Sequence, residues 1–371
     1  MTRIGFIGFG RMGITHFAIL NSHPDVEVVG IADPSRPMRA ILDSHIKVPV
    51  FADHQALLEQ AKPDAVVIAP PTRFHAAAVR DAMAAGAHVF VEKPLTLTGA
   101  DSLELARLAK EGGLVTQVGF VHRSNEVFIE AKRLLETGLI GEIRTFSSEM
   151  YGATISKEPS GWRGDAAEGG GCLYEFAAHA IDLVVFMLGA PVSVGGASLE
   201  SVFSASVEDL VSATLFLPDG QAGRLEVNWS DGAYRKPTNR ITIFGTHGKI
   251  IADPYCLAVW VREAHPAENL EEGWNRRYIT DLAKPVRFYV RGNSFTNQLD
   301  DFVACVANGD TQGTACSFAE AAKTDVIIDQ LRDDAAAEDR PKPRRPRPKV
   351  KRRGKRAKFV ALLEKLLGVM S

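Results

Sequence analysis

The feature that most constrains this chain is a glycine-rich turn within its first 33 residues. Gly8, Gly10 and Gly13 stand in the spacing G-x-G-x-x-G, after the apolar run Ile4–Ile7 and at the start of a helical pattern, Met12–Ser22. In this spacing the first glycine permits a tight turn, the second lets the backbone approach a pyrophosphate, and the third lets the helix pack closely on the strand. The pattern therefore predicts a strand, a turn and a helix whose N-terminus faces an anion.

A second apolar run, Val26–Ala32, ends at Asp33, about 20 residues after the third glycine. A carboxylate at this place accepts hydrogen bonds from the adenosine ribose and repels a 2′-phosphate, which favours NAD. Arg36 can pair with such a phosphate, so NADP stays open as the alternative cofactor. A purely structural glycine turn is the other alternative, and the flanking strands and the acid argue against it. The predicted cofactor contacts in this unit are Gly8, Phe9, Gly10, Arg11, Met12, Gly13, Asp33 and Arg36.

The length and composition of the chain limit the classes of protein to which it can belong. The chain has 371 residues, of which 46% are hydrophobic, enough for a large core and for more than one domain. We find neither an uninterrupted apolar run of membrane-spanning length nor a secretory leader, and the four cysteines lack C-x-x-C spacing. We therefore expect a reduced, cytoplasmic protein without a metal site or a disulfide framework.

Helical and strand patterns continue to alternate after the first unit, which predicts a doubly wound parallel sheet with helices on both faces. The apolar runs Ala65–Ala69, Ala87–Val91 and Val115–Gly119 are the further predicted strands. Ligands of such sheets bind outside the carboxyl ends of the strands. Four candidate residues stand at these ends: Asp33, Pro70, Glu92 and Lys93.

Lys93 has the strongest chemical argument among these candidates. A lysine at a strand end is most often a solvated surface charge. Here it follows an apolar strand and precedes Pro94, which donates no backbone hydrogen bond and restricts Lys93 toward extended conformations. This restriction favours an ammonium that points into the crevice beside the cofactor.

The chain resembles the glucose–fructose oxidoreductase / inositol dehydrogenase / MocA family in three segments: the glycine turn, Pro71–His75 and Glu92-Lys93-Pro94. Further segments that carry the resemblance are Gly119–Asn125, Gly138–Ile143, Trp162-Arg163, Gly169–His179 and Asp182. The resemblance extends to about Arg332 and implies an α/β fold of two domains. An N-terminal Rossmann domain with a doubly wound parallel sheet takes residues 1–121. A C-terminal α/β domain with an open, mostly antiparallel sheet takes residues 122–332.

The same resemblance implies NAD(P)-dependent oxidation or reduction of a sugar, nucleotide sugar or cyclitol. It also implies a homo-oligomer, a dimer or a tetramer, because the open sheet often forms the oligomer interface in this family. The cofactor contacts predicted beyond the glycine unit are Pro70, His75, Glu92, Lys93, Trp162 and Arg163. Trp162 fits a core position equally well.

The second domain carries further catalytic candidates on one predicted helix, which follows Gly169–Gly171 and ends at Leu188. Glu175, His179 and Asp182 are spaced by four and three residues, which places them on one face of an α-helix. An acid one turn before His179 can orient its imidazole for proton transfer. Glu175 and His179 are therefore predicted to act together with the lysine at the strand end.

Hydride transfer from a carbinol requires that the hydroxyl loses its proton, and this requirement assigns the roles. His179 would accept the proton, since imidazole titrates near neutrality. Lys93 would stabilise the alkoxide, Glu175 would orient or polarise the site, and Glu92 would help to place the nicotinamide.

Two departures from the family pattern concern the substrate pocket. Most relatives carry aspartate at the position of Glu175, and many carry glycine at the position of Ala177, so we expect a pocket of different shape. Two other functions stay open: a non-catalytic NAD(P)-binding regulator and a redox-neutral NAD-dependent glycosidase. The presence of both candidate catalytic residues, Lys93 and His179, favours the oxidoreductase.

Beyond Pro191 the pattern is β-rich, with a loop expected at Trp274–Tyr278. We expect a disordered basic tail over residues 333–371, dense in Lys, Arg and Pro from Arg340 to Lys358, with a short amphipathic helix at Phe359–Met370. A solvated extension is the simplest interpretation, and weak contact with an anionic membrane surface is the alternative. Nucleic acid is not expected as a partner, because no aromatic residues interleave the basic run.

Overall fold

The computed structural model describes residues 1–155 and 161–337. Residues Met1–Ala337 form one compact unit that contains two sheets. The two sheets fall on either side of the boundary predicted between residues 121 and 122. The boundary itself stays a prediction.

The first sheet is parallel and six-stranded, which confirms the predicted doubly wound architecture. Its strands are β1 (Thr2–Ile7), β2 (Val26–Ala32), β3 (Val50–Phe51), β4 (Ala65–Ile68), β5 (His88–Val91) and β6 (Thr116–Val118). They lie in the order β3-β2-β1-β4-β5-β6, so the direction of winding reverses between β1 and β4. All four residues of β4 are buried, because helices cover both faces of the sheet. The reversal opens a crevice at the carboxyl ends of these strands.

The helices that connect these strands are α1 (Arg11–Leu20), α2 (Arg36–His45), α3 (His54–Ala61), α4 (His75–Ala84) and α5 (Gly99–Glu111). Thr72 lies in a 3-10 turn, and α4 begins only at His75. The Phe74 N–H donates to the Pro71 carbonyl and closes this turn before the α-helix begins.

The second sheet has eight strands and is antiparallel except where β10 lies beside β7. Its strands are β7 (Ile143–Tyr151), β8 (Ser193–Glu200), β9 (Leu210–Phe216), β10 (Ala222–Asn228), β11 (Thr238–Gly245), β12 (Gly248–Ala252), β13 (Cys256–Val261) and β14 (Gly273–Tyr278). They lie in the order β14-β13-β12-β11-β7-β10-β9-β8. The predicted open, mostly antiparallel sheet is confirmed.

The loop predicted at Trp274–Tyr278 is wrong, because these residues belong to the edge strand β14. Trp274 lies opposite Trp260 of β13, and every second residue of β14 is exposed. Long charged and aromatic side chains occupy both faces of this strand, so the apolar alternation that identifies a half-buried strand is missing from the sequence.

The remaining helices are α6 (Glu126–Glu136), α7 (Ala178–Leu188), α8 (Ile279–Leu282), α9 (Asn293–Asn308) and α10 (Phe318–Ala336). The helix expected directly after the glycine run begins instead with a π-helical turn, Leu173–Ala177, which leads into α7. A π turn contains an additional residue, so it changes the angular offset of its side chains relative to those of α7. This turn carries Glu175.

Asp182 lies three residues after His179 in α7, but it is buried in the core and does not line the cavity that Glu175 and His179 line. Arg123 donates to Asp182 Oδ1 from Nε at 3.0 Å and from Nη2 at 2.8 Å, and both residues are buried. Removing one partner of such a pair would leave an uncompensated buried charge. The pair therefore fixes α7 to the segment that follows β6.

The predicted start of the tail at residue 333 is also wrong, since α10 continues to Ala336. Asp334 accepts a hydrogen bond from the Ala197 N–H at 2.7 Å, which holds the end of α10 against β8. The predicted basic run and amphipathic helix, residues 340–370, lie outside the described residues.

The stretch Ala166–Leu188 is long and apolar enough, by length and composition, to cross a membrane. Of its most apolar window, 78% is buried within the protein. Sequence inspection missed this stretch, because Gly169–Gly171 and Glu175 interrupt its apolar run. Its burial identifies α7 as a core helix.

Asp325 of α10 joins this helix to α5 through a buried carboxyl group. It accepts hydrogen bonds from Ser102 Oγ at 2.6 Å and from the Thr96 N–H at 3.3 Å. Burial raises the pKa of Asp325 to about 7, although these hydrogen bonds oppose the rise. An aspartate in the unfolded chain has a pKa of about 3.9, so between about pH 4 and 7 only the folded state holds this proton.

We predict that the stabilisation from this proton is present at low pH and is lost as the pH rises through 7. The Tm of the parent relative to Asp325→Asn should therefore increase as the pH falls from 8 to 5, because the variant takes up no such proton. Parallel thermal unfolding of both proteins across this range measures the difference. A Tm difference that does not change with pH would contradict the assignment.

Candidate functional site

A cavity of about 870 Å³ opens where β1, β4 and β5 end, in the size range of ligand sites. Most of the predicted site residues line it: Gly8, Phe9, Gly10, Arg11, Met12, Asp33, Pro70, His75, Glu92, Lys93, Trp162, Arg163, Glu175 and His179. Gly13 and Arg36 are the two predicted residues that do not. Across residues 1–155 and 161–337, no group of three or more His, Cys, Asp or Glu is arranged to hold a metal ion.

The three glycines of the turn differ in what surrounds them. Gly8 has a φ of +85°, and a Cβ added there would lie 2.6 Å from the Pro70 nitrogen. A Cβ on Gly13 would lie 2.2 Å from the Gly8 oxygen, whereas a Cβ on Gly10 would meet nothing within 4 Å. The first and third glycines are therefore required by the turn itself, which explains why Gly13 lies behind the cavity wall. The second glycine faces open space inside the cavity.

This open space lies at the N-terminus of α1. Gly10 is the N-cap residue, and no side chain caps the helix. The first N–H groups of a helix lack intrahelical partners and attract anions together with the helix dipole. The turn thus fits the pyrophosphate of a dinucleotide, and a side chain at position 10 would fill the place of that group.

Asp33 lies where the adenosine ribose of a dinucleotide is expected. Its Oδ2 accepts from the Phe9 N–H at 2.8 Å and its Oδ1 accepts from the Ser35 N–H at 2.9 Å. These bonds hold the carboxylate in place, and each oxygen keeps lone-pair capacity for a ribose hydroxyl. Arg36 is exposed outside the cavity, whereas Arg39 donates to the Asp33 carbonyl oxygen at 2.9 Å.

At the end of β5, Glu92 contacts a histidine that the sequence analysis missed. His16 Nε2 donates to Glu92 Oε1 at 2.6 Å, and the His16 side chain is completely buried. Burial by itself would raise the pKa of Glu92, but the His16 hydrogen bond and the charge of Lys93 lower it below the usual value. Glu92 therefore presents a carboxylate to the cavity.

Lys93 is the predicted catalytic residue whose contacts define the site most closely. Its Nζ donates to the Glu175 carbonyl oxygen at 3.0 Å and to the Tyr174 carbonyl oxygen at 3.3 Å, and it lies 3.6 Å from Glu175 Oε1. An ammonium has three donors, so two are engaged by the backbone and one is left for a ligand. The side chain is 11% exposed, which keeps this charge at the cavity wall and out of bulk water.

His179 lines the same cavity as Lys93, in an environment that keeps its imidazole neutral. Burial lowers the pKa of His179 well below 6.5, and the charges of Lys93 and His122 lower it further. The His122 ring packs edge-on against the His179 ring at 5.3 Å between centroids. A neutral imidazole accepts a proton, which matches the predicted role of His179.

The predicted orientation of His179 by Glu175 is wrong. His179 Nδ1 is buried without a hydrogen-bond partner, and the Glu175 carboxylate lies between Lys93 and Arg163, with Oε2 3.5 Å from Arg163 Nε. The π turn that carries Glu175 changes its angular offset from α7 and so removes the expected contact. The Glu175 carboxylate lies at the lysine end of the site instead.

His75 and Trp162 complete the predicted wall. The buried His75 ring places Nδ1 2.9 Å from the Pro94 oxygen and Nε2 3.0 Å from the Pro70 oxygen, so it joins the loops that follow β5 and β4. Trp162 is half-buried and lies under the Arg163 guanidinium, at 4.5 Å from the ring centroid. Trp162 therefore lines the cavity and is not a core residue.

Sequence reasoning missed several residues that complete this site, because their contacts with it join segments distant in the chain. His16 lies on the buried face of α1, where an imidazole among apolar residues was the available signal. Arg291 and Phe295 line the cavity from the segment around the start of α9. No local motif marks these two, because only the return of α9 to the first sheet brings them there.

Comparison with known proteins gives two family matches in succession. Residues 2–120 match the oxidoreductase family with an NAD-binding Rossmann fold, and residues 128–251 match the GFO/IDH/MocA C-terminal domain. A dTDP-3,4-didehydro-2,6-dideoxy-alpha-D-glucose 3-reductase from Streptomyces antibioticus is 30% identical over 308 residues, which span 81% of this chain and 89% of that protein. The scyllo-inositol 2-dehydrogenase (NAD(+)) of Bacillus subtilis strain 168 is 27% identical over 83% of this chain and 87% of its own.

Solved structures agree on the fold. A levoglucosan dehydrogenase in complex with NADH and levoglucosan superimposes with a TM-score of 0.80 at 23% identity, covering 90% of this chain and 97% of that one. This likeness extends over both sheets. The match to a family with an NAD-binding Rossmann fold identifies NAD as the cofactor of this cavity.

We predict that Gly10→Ala weakens NAD⁺ binding by about tenfold or more, while the Tm of the free protein stays unchanged. The φ of −73° at Gly10 suits alanine, and the added Cβ meets only the space that the pyrophosphate needs. Calorimetric titration with NAD⁺ and thermal unfolding measure the two effects.

The matched control is Gly13→Ala, whose Cβ would collide with the Gly8 oxygen and should lower Tm. Unchanged NAD⁺ affinity in Gly10→Ala would show that the pyrophosphate does not bind at this turn.

Proposed function

Because this chain belongs to the GFO/IDH/MocA family of NAD-dependent oxidoreductases, we propose that it transfers a hydride between NAD and a carbinol or carbonyl carbon of a sugar, nucleotide sugar or cyclitol. The observation that carries the proposal is the meeting of Lys93 and His179 in the wall of the cofactor cavity. A regulator without catalysis has no use for an ammonium and a neutral imidazole side by side at this place.

NAD, when bound, supplies the carbon that accepts or returns the hydride. The contribution of Lys93 is electrostatic. Its free N–H is available to the substrate oxygen, where negative charge develops as the hydroxyl proton leaves. Two backbone carbonyls hold the ammonium in position, so little reorganisation is needed during the reaction.

His179 takes the hydroxyl proton of the substrate in this proposal. Because Nδ1 is buried, the ring edge that carries Nε2 is the one available to the cavity, and Nε2 is the proposed proton acceptor. The lowered pKa keeps this nitrogen unprotonated at neutral pH. Proximity to Lys93 also disfavours imidazolium, so the proton passes on to solvent readily.

The substrate class rests on two kinds of support. The names of the relatives above refer to a nucleotide sugar, to scyllo-inositol and to levoglucosan, all of which contain a sugar or cyclitol ring. The cavity supplies Glu175 and Arg163 at 3.5 Å from each other beside the lysine, a polar pair suited to the neighbouring hydroxyls of such a ring. The longer carboxylate of Glu175 sets the shape of this pocket.

A panel of cyclitols, aldoses and nucleotide sugars, tested with NAD⁺ and NADP⁺ for formation of reduced cofactor, identifies the substrate. We expect turnover with NAD⁺ and at least one ring polyol. Deuterium placed on the reacting carbinol carbon should appear in the reduced cofactor. Turnover that leaves the cofactor redox state unchanged would favour the glycosidase alternative.

We predict that Lys93→Met and His179→Ala lower turnover by roughly 10²-fold or more, while NAD⁺ binding stays nearly intact. The removed groups act on the substrate oxygen and not on the cofactor. Steady-state kinetics and NAD⁺ titration of both variants test this. His122→Asn, which alters a neighbour of His179 outside the proposed chemistry, is the comparison variant. Parental turnover in either catalytic variant would remove that residue from the mechanism.

We also propose that the protein is a dimer or tetramer joined through the open face of the second sheet. The face opposite to α6 and α7 exposes large side chains, Phe244 at 46% and Trp274 at 52% of their surface. Exposed apolar area of this kind is typical of an interaction surface. Sedimentation of the free protein measures the oligomeric state.

For the basic tail we propose weak contact with an anionic membrane surface in the cytoplasm, where the membrane leaflet is negatively charged. The support is compositional: a run rich in Lys and Arg lies directly before the apolar segment of residues 359–370.

We predict that truncation after Ala337 leaves Tm and turnover unchanged, since the compact unit ends there. The full-length protein should bind anionic vesicles and release them as salt rises, because ions screen exposed charges. The truncated protein should not bind. Equal binding of vesicles by both forms would exclude the tail as the adhesive segment.

A further inference from the structure

His16 lies outside the lining of the cofactor cavity and contacts Glu92, which lines it. The His16 side chain is fully buried, and its Nε2 lies 2.6 Å from Glu92 Oε1. The imidazole packs edge-on against Phe90, with 5.1 Å between ring centroids, and at 6.4 Å from the Phe295 ring. The ring is therefore fixed by its packing, and it holds the carboxylate in one position.

The surroundings of Glu92 are built for a carboxylate. A Cβ on Gly119 would lie 3.2 Å from the carboxylate atoms, so the glycine leaves room for this group. The titratable and charged groups that face Glu92 come from every element around it: His16 from α1, His75 from α4, Lys93 at the end of β5 and Arg291 before α9. All four favour the ionised form of Glu92.

Glu92 is adjacent in the chain to Lys93, and both line the cavity. Hydride transfer requires that the nicotinamide lies next to the substrate carbon, and hence near Lys93 and His179. Glu92 therefore belongs to the nicotinamide end of the cavity. The oxidised ring is a cation and the reduced ring is neutral, so a fixed carboxylate nearby interacts with the two forms differently.

We propose that His16 is a positioning residue that holds Glu92 as a fixed negative charge beside the nicotinamide, and that this pair favours binding of NAD⁺ over NADH. The inference rests on the cofactor orientation of the proposed function, and it adds a role for a residue that touches neither substrate nor cofactor. Through α1, His16 also joins the pyrophosphate turn to the nicotinamide end of the same cavity.

Removal of the His16 donor has a definite electrostatic consequence. Glu92 is only 12% exposed, and burial disfavours its ionised form. Without His16 the carboxylate takes up a proton more readily, and the attraction for the oxidised ring falls as the pH is lowered. A glutamine at position 16 can still donate through its amide, so it preserves the contact that leucine abolishes.

The test compares the affinities of NAD⁺, NADH and ADP-ribose, measured by calorimetric titration without any substrate. ADP-ribose contains every part of the cofactor except the nicotinamide, so it reports on all cofactor contacts other than those of the nicotinamide ring. The proteins are the parent, Glu92→Gln, His16→Leu and His16→Gln.

In Glu92→Gln we expect the preference for NAD⁺ over NADH to fall by about tenfold, with ADP-ribose affinity unchanged. His16→Leu should lose the same preference increasingly as the pH falls from 8 to 6, whereas His16→Gln should keep most of it. An equal loss of ADP-ribose affinity in His16→Leu would mean that His16 only supports the turn, and it would overturn the proposal.

An unchanged NAD⁺ to NADH ratio in Glu92→Gln would overturn it as well, and this variant decides the question even where His16→Leu does not fold. Because no substrate is involved, failure here is distinct from failure of the proposed function. A protein that oxidises no polyol can still show the cofactor preference, and an active enzyme can lack it.

Discussion

The ammonium of Lys93 reaches from the end of β5 to the carbonyl oxygens of Tyr174 and Glu175, and the site depends on this contact. It joins the parallel sheet, which carries the cofactor turn, to the π turn before α7, which carries Glu175. The Lys93 ammonium therefore has three effects in the site. It lies 3.6 Å from the Glu175 carboxylate, it lowers the pKa of His179, and it keeps one N–H free for a ligand.

The cofactor end of the site was predictable because its signals are local. The glycine spacing, the strand on each side and Asp33 all fall within one unit of about 30 residues, and each has a single physical reason. The structure brings Asp33, Glu92 and Lys93 into one cavity, since residues at the carboxyl ends of neighbouring parallel strands must meet at one edge. Arg36 does not line the cavity, because α2 begins at this residue and its side chain is exposed to solvent. Its predicted contact with the cofactor stays a prediction.

The other parts of the site depend on long-range packing, which the spacing of residues in the sequence does not reveal. A four-residue interval on an assumed α-helix predicted that Glu175 would orient His179, and one π turn was enough to remove that contact. His16 contacts a carboxylate 76 residues away, and Arg291 arrives only through the return of α9. Asp182 lies on the predicted helix, but long-range packing pairs its carboxylate with Arg123 in the core.

The proposed chemistry requires a neutral His179 near the charge of Lys93. Nuclear magnetic resonance of the histidine ring nitrogens as a function of pH measures the protonation of His179 in the full-length protein, with His179→Gln to assign the signal. We predict that His179 stays unprotonated at pH 6.5, because burial and the Lys93 charge both lower its pKa, and that Lys93→Met shifts its titration upward. A His179 that titrates at or above pH 6.5, with no change in Lys93→Met, would contradict this mechanism.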